Sequence, residues 1–411
     1  MRPRLSPSTA GKSTTPFTAL NLLVKFASGS ARRGSSQRRE LAGPGRKAIL
    51  WTRLPEAASE LRVLPYWTLF AILGIGALFG HPRPYGAPIK RDYYLMIAMV
   101  LIALMIGTRY HVGGDWNAYR YMFVDAGVYS LKHQLAIGDP GYQALNWYVN
   151  RLGGELWMVN VIGGAVFSWG LYRLARIQPE PWLAVLVAFP YLVVVVAMGY
   201  ARQGVAIGFL MAGLASLSLG KSPLRFLFFV AIAATFHRTA VVMFPLALFG
   251  SQKSKILNFV LVLLFGYFLS TAFLASSMDE LVTHYVTSGY SSEGAMIRVS
   301  MSVVPAVLFF VSKGRLGFDP FEAKLWRNFS IAAFVLLVAL FVLPSSTAVD
   351  RLALYVLPLQ VAIFSRVTIW ARANIPARIA VIAYSAAILY VWLNYAANAE
   401  AWVPYDSYLW K

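Results

Sequence analysis

Five isolated arginines mark the places in this 411-residue chain where charge meets apolar sequence. Each lies at or just inside the edge of a long apolar stretch, where it either snorkels to lipid headgroups, forms a local ion pair such as Asp350 with Arg351, or binds an anion. Guanidinium groups offer paired donors that fit phosphate oxygens, so arginines that converge would form a phosphate site. The five are Arg109, Arg202, Arg238, Arg298 and Arg351.

Asp115 is the first candidate for a proton acceptor. It follows two glycines that permit a tight turn, and Tyr119 shares its face of the helix that would start there. Asp115 is either the N-cap of that helix or a carboxylate beside Arg109 that acts as a general base or orients sugar hydroxyls. The sequence leaves both roles open.

His237 is the second candidate. It lies next to Arg238 in the middle of an apolar stretch. A histidine in such a position is either hydrogen-bonded into a helix bundle or, beside a cation, serves as a neutral base. Asp115 and His237 are therefore our candidate catalytic residues.

The composition requires these residues to be positioned by a membrane domain. Apolar residues make up 58% of the chain and charged residues 13%, about half the charged share of a soluble domain, which excludes a soluble globular enzyme. The apolar residues form repeated blocks separated by short basic loops, which is typical of successive transmembrane helices. We predict an all-α polytopic membrane protein with about 11 spans, at 64–80, 93–108, 156–172, 182–198, 203–219, 224–249, 256–275, 298–312, 328–343, 352–369 and 378–395.

Charge placement orients these spans. If residue 63 is outside and 224–249 is interrupted or re-entrant at His237 and Arg238, then 16 of the 25 Lys and Arg after residue 62 lie in inside loops. The opposite orientation contradicts the positive-inside rule at every short loop. The two longest loops, 109–155 and 276–297, then face outside, and the first contains aromatic, polar segments suited to short interfacial helices.

The rest of the charge has a similar explanation. The net charge is +20, but residues 1–62 carry 12 Lys and Arg against 3 Asp and Glu, and the remaining cations serve mainly to orient helices, so we expect no nucleic-acid partner. The 62-residue segment is rich in Arg, Ser, Ala and Gly and is either a disordered basic tail or is not translated, with the start near Val63. The chain has no cysteine, which excludes disulfides and thiol nucleophiles. Residues 63–395 form the membrane domain, and 396–411 a short tail.

Several segments, in order, resemble the EpsG-type branch of Wzy-like bacterial polysaccharide polymerases. GTRYHVGGDWNAY at 107–119 is similar to that family's Arg, Gly-x-Asp, Tyr signature, and DPGYQALNWYVNRLG at 139–153 to its Glu-Pro-Gly-Tyr loop. Asp139 stands where the family more often has Glu. The others are YARQGVAIGFLMAGLASL at 200–217, the FHR segment within 224–248 and DRLALYVLPL at 350–359.

The resemblance implies glycosyl transfer from a polyprenyl pyrophosphate at the outer face of the bacterial plasma (inner) membrane. A growing glycan would pass to the non-reducing-end hydroxyl of a lipid-linked repeat unit, giving exopolysaccharide, capsule or O-antigen. Arginines would hold the pyrophosphate without a metal, and no cofactor is expected. The phosphate contacts would be Arg109, Arg202, Arg351, Arg238 and Arg298, and the substrate contacts Tyr119, Asp139, Tyr142, Gln203 and Tyr355.

Two other functions share this architecture. An O-antigen ligase uses the same donor but makes a single transfer to a lipid core, whereas a lipid-linked oligosaccharide flippase or other transporter predicts charges through the midplane and two related halves. The notable cations lie on one side and no internal repeat is evident, which favours the polymerase. Expected partners are the lipid-linked oligosaccharide and membrane lipid, with a chain-length regulator and a flippase as candidate protein partners.

Overall fold

A computed structural model describes residues 63–83, 91–220, 223–245, 294–312, 314–343, 346–372 and 374–411, together with the single residues Val260, Leu263, Leu264 and Tyr267. Within these ranges the chain is helical, and the extended pairing there is one isolated antiparallel bridge between Arg109 and Ser407. The N-terminal 62 residues and the predicted span 256–275 lie outside the described residues, apart from those four positions. Most of the predicted loop 276–297 also lies outside them.

Fifteen α-helices make up this part of the chain. They are α1 Leu64–Phe79, α2 Tyr93–Gly107, α3 Trp116–Val128, α4 Leu131–Ile137, α5 Pro140–Arg151, α6 Leu156–Ala175, α7 Pro181–Ala188, α8 Ala201–Ser218, α9 Pro223–Phe236, α10 Ala295–Val311, α11 Pro320–Val342, α12 Ser346–Ala353, α13 Pro358–Phe364, α14 Val367–Ala371 and α15 Asn374–Tyr395. A π-helix, Phe189–Ala197, continues α7, and a 3₁₀ helix, Arg238–Met243, follows α9.

Local sequence explains where many of these helices begin. α1, α5, α7, α11 and α13 each have proline in the first two positions, where its missing N–H costs no helical hydrogen bond. The Asp319 carboxylate caps α11 by accepting from the backbone N–H groups of Phe321 and Glu322, both at 2.8 Å. The boundaries of the first helices therefore follow the sequence prediction closely.

The predicted span 352–369 is wrong as a single helix. The structure divides this stretch into α12, α13 and α14, and the axis bends by 47° between α12 and the α13–α14 segment. Pro358 supplies the physical reason, because proline lacks the backbone N–H that would continue the preceding helix. The interruption predicted at His237 and Arg238 is confirmed, since α9 ends at Phe236 and the chain continues as a 3₁₀ helix.

The centre of the bundle is the π-helical segment. All nine of its residues, FPYLVVVVA, are buried, as expected for a helix that is apolar on every side. It leads directly into α8, which packs against α6 and α9, while α2 packs against α6. The helix that begins with Ala201 and Arg202 is therefore surrounded by protein along most of its length.

Two described helices are long and apolar enough to cross a membrane, namely α11 and α15. The bent α12–α14 segment is a third if it counts as one span. Five shorter apolar helices, of 14 to 17 residues, are α1, α2, α7 with its π-helical continuation, α9 and α10. The fold is thus that of an all-helical membrane protein, with fewer full-length spans in the described residues than the 11 predicted.

The loop 109–155 forms three short helices, α3, α4 and α5. α3 and α5 are partly buried, whereas α4 is mostly exposed. Trp116, Tyr119, Tyr142 and Val149 form a cluster under the loop, together with Leu156 at the start of α6. The prediction of short helices in this loop is confirmed, and they bring Asp115 and Asp139 to the same end of the bundle as the start of α8.

Candidate functional site

Asp139 joins three separate parts of the chain. It precedes Pro140 at the start of α5 and is only 5% exposed. Its Oδ2 accepts a hydrogen bond from Nη1 of Arg202 at 2.8 Å, and its Oδ1 accepts one from the backbone N–H of Arg238 at 3.2 Å. The carboxylate therefore connects loop 109–155 to the first turn of α8 and to the break after α9.

The break after α9 turns two side chains towards that carboxylate. His237 has an extended backbone, with φ −156° and ψ 112°, and its Nδ1 lies 3.5 Å from Oδ2 of Asp139. Arg238 Nη2 donates to the Gly138 carbonyl at 2.8 Å, and its Nε lies 3.7 Å from Oδ1 of Asp139. If α9 continued without this break, the side chains of residues 237 and 238 would follow the turn of the helix and would not both point towards Asp139.

The electrostatics of Asp139 follow from these neighbours. Burial alone raises the pKa of this carboxyl, but His237, Arg202 and the backbone N–H of Arg238 together lower that pKa below its ordinary value. Asp139 is therefore held as a carboxylate. Asp139 is enclosed, and both of its oxygens accept hydrogen bonds from these groups, so it positions the cations. The substrate contact predicted for it stays a prediction.

Asp115 has the opposite environment. It occupies the N-cap position of α3, but its side chain makes no capping hydrogen bond, so the carboxylate is not engaged as an N-cap. Burial raises the pKa of this carboxyl above its ordinary value, against the opposing effect of the Arg351 and Arg202 guanidinium groups. A half-buried carboxyl that faces two arginines and has a raised pKa is suited to accept a proton.

Arg351 is half-buried and packs against an aromatic ring. Its guanidinium carbon lies 4.4 Å from the ring centre of Tyr200, while its backbone carbonyl accepts from Nε2 of Gln203 at 2.8 Å. Within the described part of the chain, the guanidinium itself has no carboxylate partner. The side chain of Arg202 is about a third exposed (32%), so both groups can present donors to an anion beside Asp115.

Four predicted substrate contacts lie beneath these groups. Tyr119 and Tyr142 pack with their rings 5.6 Å apart, and the Tyr355 hydroxyl lies 3.0 Å from Oγ1 of Thr239. Together with Gln203 they are almost completely buried. They form the floor of the site, and their predicted contact with substrate stays a prediction.

Two of the five arginines do not join this group. Arg109 is 1% exposed and donates to the carbonyl oxygens of Ile106 and Val112 and to Oδ1 of Asn160. Its donors are used to fix the turn after α2. The phosphate contact predicted for Arg109 would require these bonds to break, and it stays a prediction.

Arg298 is likewise committed to the protein. It forms a buried ion pair with Asp350. The sequence suggested Asp350 as a partner for its neighbour Arg351, and the structure corrects this, because α10 brings Arg298 to Asp350 instead. That pairing leaves Arg351 available, and the phosphate contact predicted for Arg298 stays a prediction.

Sequence reasoning missed two contributors. Tyr200 supports Arg351 with its ring, and Trp402, near the C-terminus, is buried against the site-bearing turns. An aromatic-rich ending, AWVPYDSYLW, was the available signal for the second. In the described ranges, no group of three or more His, Asp and Glu side chains comes together in a way that could hold a metal ion.

One comparison with known proteins identifies a family for this chain. No curated protein and no solved structure matches the sequence. A family model described as "EpsG family" matches residues 92–407, which include every residue of the site described above. Because that match spans well over half of its length, the chain belongs to the EpsG family.

Proposed function

We propose that this protein polymerises oligosaccharide repeat units carried on polyprenyl pyrophosphate, by glycosyl transfer, into exopolysaccharide, capsule or O-antigen. Membership of the EpsG family supports a polymerase-type role in polysaccharide synthesis. The observation that carries the specific reaction is Asp115, an unengaged carboxyl with a raised pKa that faces the guanidinium groups of Arg202 and Arg351. A base beside paired cations is what transfer from a pyrophosphate donor requires.

The arginines would act on the leaving group. Breaking the bond between the anomeric carbon and the pyrophosphate oxygen leaves an additional negative charge on the lipid pyrophosphate. Arg351, with free donors, and Arg202, already oriented by Asp139, can hold that charge through forked hydrogen bonds. Arg238 adds positive charge behind them, at 3.7 Å from the same carboxylate.

Asp115 would act on the acceptor. The non-reducing-end hydroxyl of a lipid-linked repeat unit attacks the anomeric carbon of the growing glycan, its proton passes to the Asp115 carboxylate, and the lipid pyrophosphate departs with the bonding electrons. His237 is the second candidate base, because Asp139 lies 3.5 Å from its Nδ1 and can orient the imidazole. The variants Asp115→Asn and His237→Gln separate the two candidates in a chain-growth assay.

The location of this reaction is part of the proposal. Loop 109–155 and the starts of α6 and α8 would face the outside of a bacterial plasma membrane, with about 11 spans across the whole chain and the basic loops inside. The donor and acceptor would be lipid-linked oligosaccharides. A flippase would supply them and a chain-length regulator would limit the product.

The test is chain growth by purified protein in lipid vesicles, given the native polyprenyl-pyrophosphate repeat unit in buffer containing a metal chelator. We expect a ladder of products from the wild type. Arg351→Gln and Asp115→Asn should each reduce chain growth by about 100-fold or more, because each removes a charge from the transition state. His237→Gln shows whether the imidazole is the base instead.

Matched controls lie on α3, the helix that Asp115 begins. Arg120→Gln and Asp125→Asn remove the same charges from exposed positions and should leave the ladder unchanged. Unaltered ladders in Arg351→Gln and Asp115→Asn would contradict the proposed site. A single transfer to a lipid core would indicate a ligase, and bound but unchanged repeat units that cross the vesicle membrane would indicate a transporter.

A further inference from the structure

The last residues of the chain form a strap over the turn that carries Asp115. We define the strap as residues 401–408. Its backbone accepts a hydrogen bond from Gly113 N–H to the Ala401 carbonyl at 2.7 Å and from Tyr110 N–H to the Asp406 carbonyl at 2.9 Å. It returns one from Tyr408 N–H to the Thr108 carbonyl, at 2.8 Å. The strap is therefore paired with the segment between α2 and Asp115 on both sides of the Arg109–Ser407 bridge.

Side chains add to this pairing. The Tyr405 hydroxyl donates to the Met105 carbonyl in the last turns of α2, and Ser407 Oγ donates to the Thr108 carbonyl, both at 2.9 Å. These bonds satisfy carbonyl groups that the end of a helix leaves without a partner. The strap thus replaces the helical hydrogen bonds that would otherwise fix the end of α2.

Trp402 connects the strap to the turn at Gly199, which precedes Arg202 and the start of α8. It is 2% exposed, and its Nε1 donates to the Val194 carbonyl of the π-helix at 2.7 Å. Its ring lies so close to Gly199 that a methyl group on that glycine would overlap it, and 3.7 Å from where a methyl group on Gly114 would be. The indole therefore lies between the Asp115 turn and the break that precedes α8.

The two turns also contact one another directly. Gly113 has a φ of +108°, which favours glycine, and a methyl group there would lie 2.6 Å from the Met198 carbonyl oxygen. Gly199 is followed by Tyr200, whose ring supports Arg351, and by the first turn of α8, which holds Arg202. A shift of the Trp402 ring would consequently move Asp115 relative to both arginines.

We propose that Trp402 is a positioning residue of the active site, which through the strap fixes the distance between Asp115 and the Arg202–Arg351 pair. This inference rests on the proposed function for its catalytic consequence, although its geometric consequence is independent of that function. Trp402 touches neither donor nor acceptor in the proposal. It acts by holding the two glycine-lined turns together.

The kinetic test compares Trp402→Ala, Trp402→Phe and Trp410→Ala in the chain-growth assay. Trp410 is the control for a surface disturbance of the strap, since it is 58% exposed and contacts the strap at Tyr405 and Asp406. We expect Trp402→Ala to lower kcat by about 100-fold with KM for the repeat unit changed less than about threefold, because catalytic geometry is lost while substrate binding remains. Trp402→Phe keeps most of the packing, loses the bond to Val194, and should recover most of kcat.

The pH dependence supplies a readout that a merely structural role would not move. The charged and titratable groups facing Asp115 are Arg351 and Arg202, with Tyr119 and Tyr200 beside it. A loosened turn admits water to Asp115 and lowers its raised pKa towards the ordinary value. The acidic limb of the rate profile should therefore move to lower pH in Trp402→Ala and stay in place in Trp410→Ala.

A distance measurement separates this inference from the proposed function. Because the chain has no cysteine, nitroxide labels can be attached to Asn117→Cys on α3 and Phe228→Cys on α9, both exposed positions. We expect a narrow distance distribution in the background protein, in the Trp410→Ala variant and in Trp402→Phe, and a broadened one in Trp402→Ala.

Distributions and kinetics that are the same for Trp402→Ala and Trp410→Ala would overturn the inference. So would a Trp402→Ala variant that raises KM at unchanged kcat, or one that loses kcat with its acidic limb in place. A wild type that makes no polymer contradicts the proposed function alone, and the label distances then decide the role of Trp402. If Trp402→Ala fails to fold, wild-type distances and rates in Gly199→Ala would overturn the inference, because that methyl group cannot fit beside an unmoved indole.

Discussion

At the scale of single residues, the site is built from two carboxyls whose surroundings shift their pKa values in opposite directions. Asp115 is unengaged and its pKa is raised, whereas Asp139 is engaged on both oxygens and its pKa is lowered. Pairs of titratable groups with pKa values pushed apart are typical of acid–base chemistry, with one group reacting and the other fixing charge. In this site Asp139 fixes Arg202, and Asp115 is left to exchange a proton.

The Asp139 assignment predicts a pH-dependent loss of stability. Asp139→Asn should lower the free energy of unfolding by about 2 kcal/mol at pH 7, because Arg202 and Arg238 lose their counter-charge while remaining partly hydrated. Since the folded-state pKa lies below the ordinary value of 3.8, the carboxylate's stabilising effect is complete above that value. The difference between wild type and variant should then shrink as the pH falls from 3.8 towards the lowered pKa.

Thermal unfolding in detergent between pH 3 and pH 7 measures this difference, with Asp125→Asn as the control at an exposed position. A difference that grows on acidification would contradict the lowered pKa of Asp139.

The charged residues also show which parts of the site can be predicted from the sequence. Arg202, Arg238, Arg351 and Asp115 were identifiable as charges at apolar boundaries, but the hydrogen-bond partners of Arg109 and Arg298 depend on tertiary contacts that no spacing along the chain shows.

At the scale of helices, the sequence predicted the helix starts and the break at His237 because proline, aspartate and apolar period act locally. It failed at 352–369, where apolar composition continues through a proline that ends the helix. It predicted a short tail at 396–411 but not its pairing with the end of α2, because that pairing joins residues about 300 positions apart. Such pairing has no local signature.

The contact between α6 and α8 yields a prediction about glycine. A methyl group on Gly170 of α6 would overlap the backbone carbonyl of Gly208 of α8, which cannot turn away as a side chain could. Gly170→Ala should therefore push α8 outward and lower the free energy of unfolding by about 3 kcal/mol. Because α8 begins with Ala201 and Arg202, chain growth should fall as well.

Gly163→Ala on the same helix is the matched control, because a methyl group there meets only Cγ2 of Val205, at 3.1 Å. Its unfolding should remain near that of the wild type. Equal stability of the two variants, measured by thermal unfolding in detergent, would show that α6 and α8 can separate without cost.

At the scale of the whole molecule, the bundle carries buried charge at both ends. α6 starts beside loop 109–155 at Leu156 and ends at Ala175, so the residues after it lie at the end opposite Asp139. There the Arg378 guanidinium donates to both oxygens of Glu180, at 3.0 and 2.8 Å, and Arg366 donates to Glu322 at 3.1 Å. Both arginines are buried in these ion pairs.

These pairs connect the start of α7 and the start of α11 to α14 and α15, and they predict a stability effect that is separate from catalysis. Glu180→Gln leaves Arg378 buried without its counter-charge, and should lower the free energy of unfolding by about 3 to 5 kcal/mol. Replacing both partners, as in Glu180→Gln with Arg378→Met, removes the stranded charge and should recover much of that loss. Chain growth per folded molecule should stay near the wild-type rate, because the site at the other end keeps all its contacts.

Thermal unfolding in detergent, with Glu400→Gln as the exposed control, measures the loss of stability, and the chain-growth assay measures the rate. A double variant no more stable than Glu180→Gln would mean that the pair itself, and not the isolated cation, determines stability at this end of the bundle.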